Sequence, residues 1–545
     1  MRKWLSFLAV VLLVLSICQP ANAEDLNILI AQEEAEESLE NPDEELSGVF
    51  IKEIIIEGNT VIDTETLNKV IESFKDRELT LEEMSELTDL LTITYQEKGY
   101  ILARAYLPEQ ELQDGILKIT IAEGKIGKIK VSGYTHYKAD VIKRYFEQQQ
   151  EHGIIKESLL EKGLLLSTDL PDVKTTVVLK EGEKPGEVDV ILDTKDTSTV
   201  TFGVDMSIDY NNFGSDAVGE DRLGLALGVT DHYWGSRFDI RVVSGKILED
   251  SLLGSLRWTV PINSYGSKIR LGYLHSNYVV GQAFADLGLE GRTEYYNASF
   301  SHPLMKKKNK NLYFNFGYTD KFSKNVILEQ PRSLDQEDVF NVTLDFDSLD
   351  RFLGKNIASL SYLWGQVERD EILPTSRNNT EDQSWDKWVL NLARIQKVYG
   401  NTNIMLRGFA QITDDRLLTI EQVGLGGYGS VRGYAPSLYL GDQGYTVSAE
   451  LMFAPPFLAE KNLFGQRLSQ LVQFALFADH GQVWIVDAGT LPGEVSDYHL
   501  TGYGGGFRLY YKNWFTFKYD LGIPKNHIEG QKEHFHYFQT SFTLF

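Results

Sequence analysis

The segment with the most unusual combination of residues is GLGGYGSVRGYAPSLYLGDQG, residues 424–444. It is rich in glycine and tyrosine, almost uncharged, and carries a single arginine, Arg432. A surface of Gly, Tyr, Leu and Val is expected to fold inward rather than remain in water, and Arg432 would be removed from water with it. A buried guanidinium requires a carboxylate, best held through two parallel hydrogen bonds. The chemistry predicted here is therefore a buried ion pair.

Asp479 is the predicted partner of Arg432. It lies in the segment FADHG, residues 477–481, near the end of an alternating stretch. Because successive side chains of a strand point to opposite faces, Asp479 is expected opposite a row of apolar side chains. That row consists of Val472, Phe474 and Leu476. Glu450, which alternation places inward on the preceding strand, is an alternative partner. A third interpretation is that Asp479 only helps a turn at Gly481.

Other kinds of chemistry find little support in the sequence. The spacing Gly424-x-Gly426-x-x-Gly429 matches a dinucleotide fingerprint only superficially, because that motif must follow a strand and open a helix. A glycine-rich surface loop without further function is the plainer alternative. The chain contains neither HExxH nor GxSxG. We therefore predict no catalytic residue, no cofactor and no metal site, and a protein that is not an enzyme.

The chain begins with a predicted secretory signal peptide, residues 1–23. A basic start and an apolar run are followed by the small-residue sequence Ala21-Asn-Ala23. A lipoprotein signal would use Cys18, but the bulky Ile17 precedes it. Cys18 is the only cysteine, so no disulfide, thiolate zinc site or cysteine nucleophile is expected in the mature chain. Residues 24–48 predict an acidic linker, because ten acidic residues and no lysine or arginine occur there.

The composition excludes two broad classes of protein. The formal net charge is −25, from 78 acidic and 53 basic residues, and a chain this acidic is repelled by phosphate backbones. Nucleic acid is therefore not a predicted partner. After the signal peptide, no stretch approaches the roughly 18 consecutive apolar residues that a membrane-spanning helix needs. An aromatic content of 12% and 46 glycines favour a chain built largely from strands and turns.

Two small α+β modules are predicted before residue 197, one at 49–124 and one at 125–196. The same order of strand, helix, helix, strand and strand occurs twice, each time within about 75 residues. The first set is expected at 52–57, 64–74, 79–98, 101–107 and 116–122. The second set is expected at 126–132, 138–149, 156–167, 173–179 and 188–192. The edges of such sheets could accept an extended peptide as an added strand.

Residues 197–545 predict a membrane β-barrel of sixteen antiparallel strands. The segment Thr199–Tyr210 alternates apolar and polar side chains, and fifteen further alternating segments follow it. They start near residues 223, 237, 255, 268, 292, 311, 339, 356, 388, 402, 445, 470, 501, 514 and 536. Many carry charges on the face opposite the apolar one, such as Asp239, Arg241 and Asp520. Charges between apolar residues are expected to face a water-filled lumen.

The connections between these segments alternate in length. The odd-numbered connections span about 11 to 33 residues, and most even-numbered ones span fewer than about 10. Outer-membrane barrels have this asymmetry, with long external loops and short periplasmic turns. The modules before the first strand would then lie in the periplasm. Residues 424–444 fall in the sixth and longest outer connection.

Two motifs of this sequence, one in the sixth outer loop and one in a later strand, together resemble those of a known family. Val431-Arg432-Gly433-Tyr434 in the sixth outer loop, together with Phe477-x-Asp479-x-Gly481, resembles the two-partner secretion translocators of the ShlB/FhaC/HecB type. These are haemolysin secretion and activation proteins with tandem POTRA modules before a sixteen-stranded barrel. Residues 99–126, including Ala122-Glu-Gly-Lys-Ile126, are similar to the first POTRA module of this family.

The resemblance implies a fold and a mechanism. The sixth loop would lie inside the barrel, with its tip held by Arg432 against Asp479. The POTRA-like modules would bind a large secreted partner of the haemolysin or adhesin type, which would cross the outer membrane through the pore. An outer-membrane assembly factor (insertase) of the same superfamily is the alternative, although such proteins usually carry three or more POTRA modules. The short segment before residue 48 shows no clear pore-plugging helix.

The end of the chain predicts how the barrel reaches the membrane. The terminal Phe545 matches the signal recognised by the barrel assembly machinery, although Phe538 and Phe542 lie on the opposite face. The expected partners are thus the secreted protein, the barrel assembly machinery and outer-membrane lipid.

Overall fold

The computed structural model describes residues 48–112, 114–197, 203–245, 251–280, 288–368, 383–458, 461–489 and 495–544. The signal peptide, nearly all of the acidic linker, residues 199–202 of the first expected strand, and Phe545 lie outside the described residues. The chain divides near Asp196 into two compact units, which are described separately.

The first α+β module contains five strands and two α-helices. They are β1 (Val49–Ile51), β2 (Glu53–Glu57), α1 (Thr64–Ile71), β3 (Arg77–Leu79), α2 (Leu81–Glu97), β4 (Arg104–Tyr106) and β5 (Ile116–Ala122). The sheet order is β2-β5-β4, and β1 pairs separately with β3. Thr80 and Glu83 form a capping box that fixes the start of α2. The helix packs its apolar face, Leu87, Leu91 and Tyr95, into the core.

The second module has the sheet order β6-β8-β7. Its elements are β6 (Lys125–Tyr134), α3 (Ala139–Lys143), α4 (Glu147–His152), α5 (Glu157–Thr168), β7 (Val173–Glu181) and β8 (Glu187–Asp196). The helix expected at 138–149 is divided by a 3-10 turn, Arg144–Phe146. Two residues of this turn, Tyr145 and Phe146, are buried. Gly163 of α5 makes room for this turn, since a Cβ there would lie 2.8 Å from the Phe146 ring.

The remaining chain forms a closed barrel of sixteen antiparallel strands, which confirms the predicted fold class. The first eleven are β9 (Val204–Asn211), β10 (Arg222–Asp231), β11 (Ser236–Ser244), β12 (Ser251–Pro261), β13 (Lys268–Val279), β14 (Glu290–Lys307), β15 (Lys310–Ile327), β16 (Gln330–Leu349), β17 (Gly354–Glu368), β18 (Gln383–Tyr399) and β19 (Thr402–Ile412). Two short strands, β20 (Val423–Leu425) and β21 (Tyr439–Gly441), lie in the connection that follows.

The barrel continues with β22 (Gln443–Phe453) and, after the small hairpin β23 (Asn462–Leu463) and β24 (Gln466–Arg467) and the short helix α6 (Leu468–Leu471), with β25 (Val472–Trp484). It ends with β26 (Asp497–Tyr511), β27 (Phe515–Pro524) and β28 (Phe535–Thr543). Strand β28 pairs with β9 and thereby closes the ring.

Side chains of β11 show how the sequence separates lumen from lipid. The apolar residues that face outward are Phe238, Ile240 and Val242. The charged residues between them form ion pairs: Arg237 lies 2.6 Å from Asp205, and Arg241 lies 2.9 Å from Asp209. Charges that would be costly against lipid are thus paired on the inner wall.

Several outer connections are shorter than expected, including the third, residues 280–289, and the seventh, residues 485–496, and the fourth differs most. The fourth outer connection, expected to span about 19 residues, contains only Leu328 and Glu329. Both residues adopt left-handed backbone angles, φ 51° and 61°, as a two-residue hairpin turn requires. The residues expected in the loop instead extend β15 and β16, and β16 is 20 residues long. The sixth outer connection, residues 413–442, keeps its expected length; we call it loop 6.

Among the described residues, no helix combines the length and the apolar character needed to cross a membrane. Within the same residues, no group of three or more His, Cys, Asp or Glu side chains is arranged to hold a metal ion.

Candidate functional site

Loop 6 folds into the lumen, where β20 pairs with β21. Val431 and Tyr434 of its tip are 0% and 1% exposed, and they belong to one apolar cluster with Val483 of β25 and Leu500 of β26. The apolar side chains that would be unfavourable in an external loop therefore line the interior contact with the barrel wall.

Arg432 projects from this tip and meets Asp479 of β25. Its Nε donates to Oδ2 at 2.7 Å and its Nη2 donates to Oδ1 at 3.0 Å. The backbone N–H of Arg432 also donates to Oδ2, at 3.1 Å. Arg432 is 1% exposed and Asp479 is 2% exposed. The structure thus brings these two predicted residues together in the two-bond geometry that a guanidinium and a carboxylate favour.

Glu450 also contacts Arg432, so the two candidate partners are not alternatives. Arg432 Nη1 donates to Glu450 at 2.9 Å and to Asp520 of β27 at 3.3 Å. Arg508 of β26 donates to Glu450 at 2.9 Å and to Asp520 at 2.7 Å. We call these five buried residues the Arg432 cluster. Two guanidiniums face three carboxylates, which gives a formal charge of −1.

Phe477 and Gly481, the other two residues of the strand motif, shape the surroundings of Arg432. The guanidinium carbon lies 3.4 Å from the centroid of the Phe477 ring, which is a close cation–π contact. Gly481 lies under loop 6, because a Cβ at this position would be 2.6 Å from Leu425. These two residues therefore allow the loop to approach the wall and cover the arginine.

Gly433 and Tyr434 attach the tip to the last strands. Gly433 has φ +98°, a conformation that favours glycine, and its N–H donates to the Tyr537 hydroxyl at 3.1 Å. Tyr434 donates its hydroxyl to the carbonyl of Thr501 at 3.0 Å. Together with the buried Val431, each residue of the predicted VRGY motif has a distinct contact in the lumen.

Several residues of this site were not singled out from the sequence. Arg508 and Tyr537 were not named as site residues, and Asp520 was expected only as one of many inward charges. Gly502 and Gly522 were also missed, although a Cβ on Gly522 would lie 2.6 Å from the Gly433 nitrogen. The available signal was alternation along GYGGGFR, residues 502–508, which puts small residues and one arginine on the inner face.

Two sequence models of known families match the chain. The ShlB-type POTRA domain matches residues 49–124. The model described as haemolysin secretion/activation protein ShlB/FhaC/HecB matches residues 186–509, more than half of the chain.

The chain is also similar to transporter proteins from Haemophilus influenzae and Escherichia coli. The chain is 24% identical over 446 residues to the heme/hemopexin transporter protein HuxB of Haemophilus influenzae strain 86-028NP, covering 79% of this chain and 74% of that protein. It is 22% identical over 429 residues to the outer membrane transporter CdiB of Escherichia coli, covering 75% and 70%. The solved structure of CdiB from Escherichia coli has the same fold, with a TM-score of 0.72, 19% identity, and coverage of 94% of this chain and 93% of CdiB.

Proposed function

Because this chain belongs to the ShlB/FhaC/HecB family of haemolysin secretion/activation proteins, and is therefore a two-partner secretion translocator of the outer membrane, we propose that loop 6 is its gate. The loop closes the lumen at rest, and the Arg432 cluster holds it closed. An extended partner protein passes through the barrel when the tip moves aside.

The burial of Arg432 in a carboxylate-lined wall supports this proposal. An arginine on an exposed loop would keep its water, whereas this one exchanges its hydration for Asp479, Glu450 and Asp520. Removing one member of a buried ion pair costs about 3–5 kcal/mol, because the partner charges stay buried. Each of the three carboxylates belongs to the barrel wall, so this free energy opposes movement of the tip away from the wall.

The partner protein first binds the POTRA modules in the periplasm. Each three-stranded sheet has edge strands, and β7 is the outer strand of the second sheet, nine residues long and paired with β8 alone among the described strands. An unfolded segment can add to such an edge through backbone hydrogen bonds.

The barrel has two further partners. The barrel assembly machinery inserts it into the outer membrane, and lipid then surrounds its apolar face. The protein carries out transport rather than catalysis.

The test of the gate is the substitution Arg432→Ala. The barrel is expected to assemble, because the strands keep their ladders, while export of the protein whose secretion depends on this gene falls at least about tenfold. The conductance of KCl through the purified protein in a planar bilayer is expected to rise. Arg407→Ala is the matched control: this arginine lies on β19, is exposed, and contacts Ser448 rather than a carboxylate. Export and conductance at the wild-type level in Arg432→Ala would overturn the proposal.

A further inference from the structure

A second buried ion cluster lies eleven residues before Arg432 in loop 6. Glu421 ends a short 3-10 turn, Thr419–Glu421, and its side chain is 4% exposed. One carboxylate oxygen lies 2.7 Å from Lys387 Nζ of β18, and the other contacts Lys321 of β15. Lys321 in turn lies 3.7 Å from Glu337 of β16. We call these four residues the Glu421 cluster; two lysines face two glutamates, so the formal charge is zero.

Further hydrogen bonds fix Glu421 in place. Lys387 Nζ and Gln411 Nε2 each donate to the Glu421 carbonyl at 2.9 Å. The Trp385 indole N–H donates to Glu337 at 3.0 Å. The cluster therefore engages both the side chain and the backbone of loop 6.

An apolar contact seals the Glu421 cluster. Leu417 and Leu418 of loop 6 are 0% and 2% exposed, and they pack against Val339, Val367 and Trp385 of the inner wall. Excluding water from the neighbouring ion pairs strengthens their attraction and raises the free-energy cost of leaving either lysine unpaired.

The two clusters hold loop 6 to different parts of the wall. The Glu421 cluster uses β15, β16 and β18, whereas the Arg432 cluster uses β22, β25, β26 and β27. Loop 6 thus has a stem, residues 413–425 and 439–442, and a tip, residues 426–438. Gly426 and Gly427 at the first junction have φ +112° and +90°, and Ser437 near the second has φ +48°. Backbone angles of this kind are typical of turns, where a segment can change direction.

We propose that Glu421 is a positioning residue for transport, which keeps the stem docked while the tip alone moves about the glycine junction. This inference rests on the proposed role of loop 6 as the gate. A docked stem limits how far the tip can travel and returns it to the same place on the wall. If the stem were released as well, the whole loop would leave the lumen and the closed state would form slowly.

The inference can be tested with two spin labels, because the only cysteine, Cys18, lies in the predicted signal peptide. A label at Thr419→Cys reports on the stem, where Thr419 is exposed. A label at Gly429→Cys reports on the tip; Gly429 is exposed and an added Cβ meets no atom within 4 Å. Each labelled full-length protein is studied in lipid vesicles by electron paramagnetic resonance, and KCl conductance is recorded from the same preparations.

We expect Glu421→Gln to mobilise the stem label and to make large openings about tenfold more frequent. Arg432→Ala is expected to mobilise the tip label while the stem label stays immobile. Asp414→Asn, which neutralises an exposed carboxylate of the same loop, is expected to change neither label. The double variant Glu421→Gln with Lys387→Met removes the unpaired cation as well as the carboxylate. Its stem label should be less mobile than in Glu421→Gln, and more mobile than in the wild type because the hydrogen bond from Lys387 to the Glu421 carbonyl is also lost.

Three results would overturn the inference. The stem label could stay immobile in Glu421→Gln, the double variant could remain as mobile as the single one, or Arg432→Ala could mobilise stem and tip together, so that loop 6 moves as one piece. A different result would count against the gate itself: in Arg432→Ala, the tip label would remain immobile and conductance unchanged.

Discussion

Gly502 sets how closely loop 6 can approach the barrel wall. A Cβ at this position would overlap the carbonyl oxygen of Arg432. We expect Gly502→Ala to push the tip away from Asp479 at a cost of about 1–3 kcal/mol, and to lower export about tenfold without unfolding the barrel. Export is measured as the amount of secreted partner in the culture medium, and folding of the barrel is measured by its heat-induced gel shift.

Gly254 of β12 provides the control for this substitution, because an added Cβ there meets no atom within 4 Å. We expect Gly254→Ala to export normally. If Gly502→Ala also exports normally, the tight contact between loop and wall has no role in transport.

Glu123 of the first POTRA module is a buried carboxylate with unusually many donors. It accepts hydrogen bonds from the backbone of Thr60 at 2.6 Å, from Val61 at 3.1 Å and from the Tyr95 hydroxyl at 2.9 Å. Burial raises the pKa of Glu123, but the hydrogen bonds from Thr60 and Val61 outweigh this effect, so its folded-state pKa is lowered. The stability it contributes is therefore present above its unfolded pKa, about 4.3, and is lost as the pH falls through the lower folded value.

We expect Glu123→Gln to destabilise this module by about 2 kcal/mol, because an amide N–H₂ would face backbone donors. Hydrogen exchange of α2 in the full-length protein, corrected for intrinsic rates, measures the effect. As the pH falls below about 5, protection should fall in the wild-type protein and change less in the variant. Glu82→Gln, an exposed residue of the same helix, is the control. An identical pH profile for Glu123→Gln and wild type would contradict this assignment.

Part of the site could be read from residues alone. Arg432 stands out because a charge in an apolar, glycine-rich loop needs a partner, and alternation selects Asp479 and Glu450 as inward carboxylates. Nothing in the local sequence distinguishes Arg508, Asp520 or the glycines of β26 and β27 from other inward-facing residues. Their roles depend on which strands meet the loop tip, and alternation within one strand carries no information about that contact.

At the level of elements, β7 is a candidate edge for binding the partner protein. Val178 of this strand is 40% exposed, whereas its neighbour Val177 is half-buried. We expect a photo-crosslinking amino acid at Val178 to capture the partner protein in the periplasm while it is being exported. The same group at Leu90, which is 37% exposed on helix α2, should capture far less. Equal capture at both positions would show that the β7 edge does not select the partner.

Element boundaries were predictable where side-chain alternation was strong. Strands β10, β11, β13, β15 and β19 begin within about one residue of their expected positions. The start of β16 was missed by about nine residues, because residues 330–337 are largely polar and show no alternation of apolar and polar side chains. In the first module, β3 was not expected: Arg77 and Glu78 lie between the two expected helices, and only Leu79 falls within the second. Its identity as a strand depends on pairing with β1, a contact distant in sequence.

For the whole molecule, closure of the barrel depends on its weakest ladder. Among the described residues, the seam between β28 and β9 has five registered pairs, fewer than any other ladder of the barrel, whereas the ladder on the other side of β9 has eight. Asn212 lengthens this seam: its Nδ2 donates to the His536 carbonyl at 2.7 Å, and its Oδ1 accepts from the Phe538 N–H at 2.8 Å. A barrel opens where two strands part, so interactions at the shortest ladder have most influence on the rate of unfolding.

We therefore expect Asn212→Ala to lower the temperature of barrel unfolding by a few degrees, since it removes two hydrogen bonds worth about 1 kcal/mol each. Asn297→Ala is the matched control. Like Asn212, Asn297 makes two side-chain hydrogen bonds, here both as the donor, to the Tyr318 carbonyl and the Thr319 hydroxyl, but it lies in the long ladder between β14 and β15. Its loss should change the unfolding temperature less, because that ladder is held on both sides of the substitution. Unfolding is followed by the gel shift of heated membranes at a fixed heating time. An equal decrease for both variants would show that the barrel does not unfold from the seam.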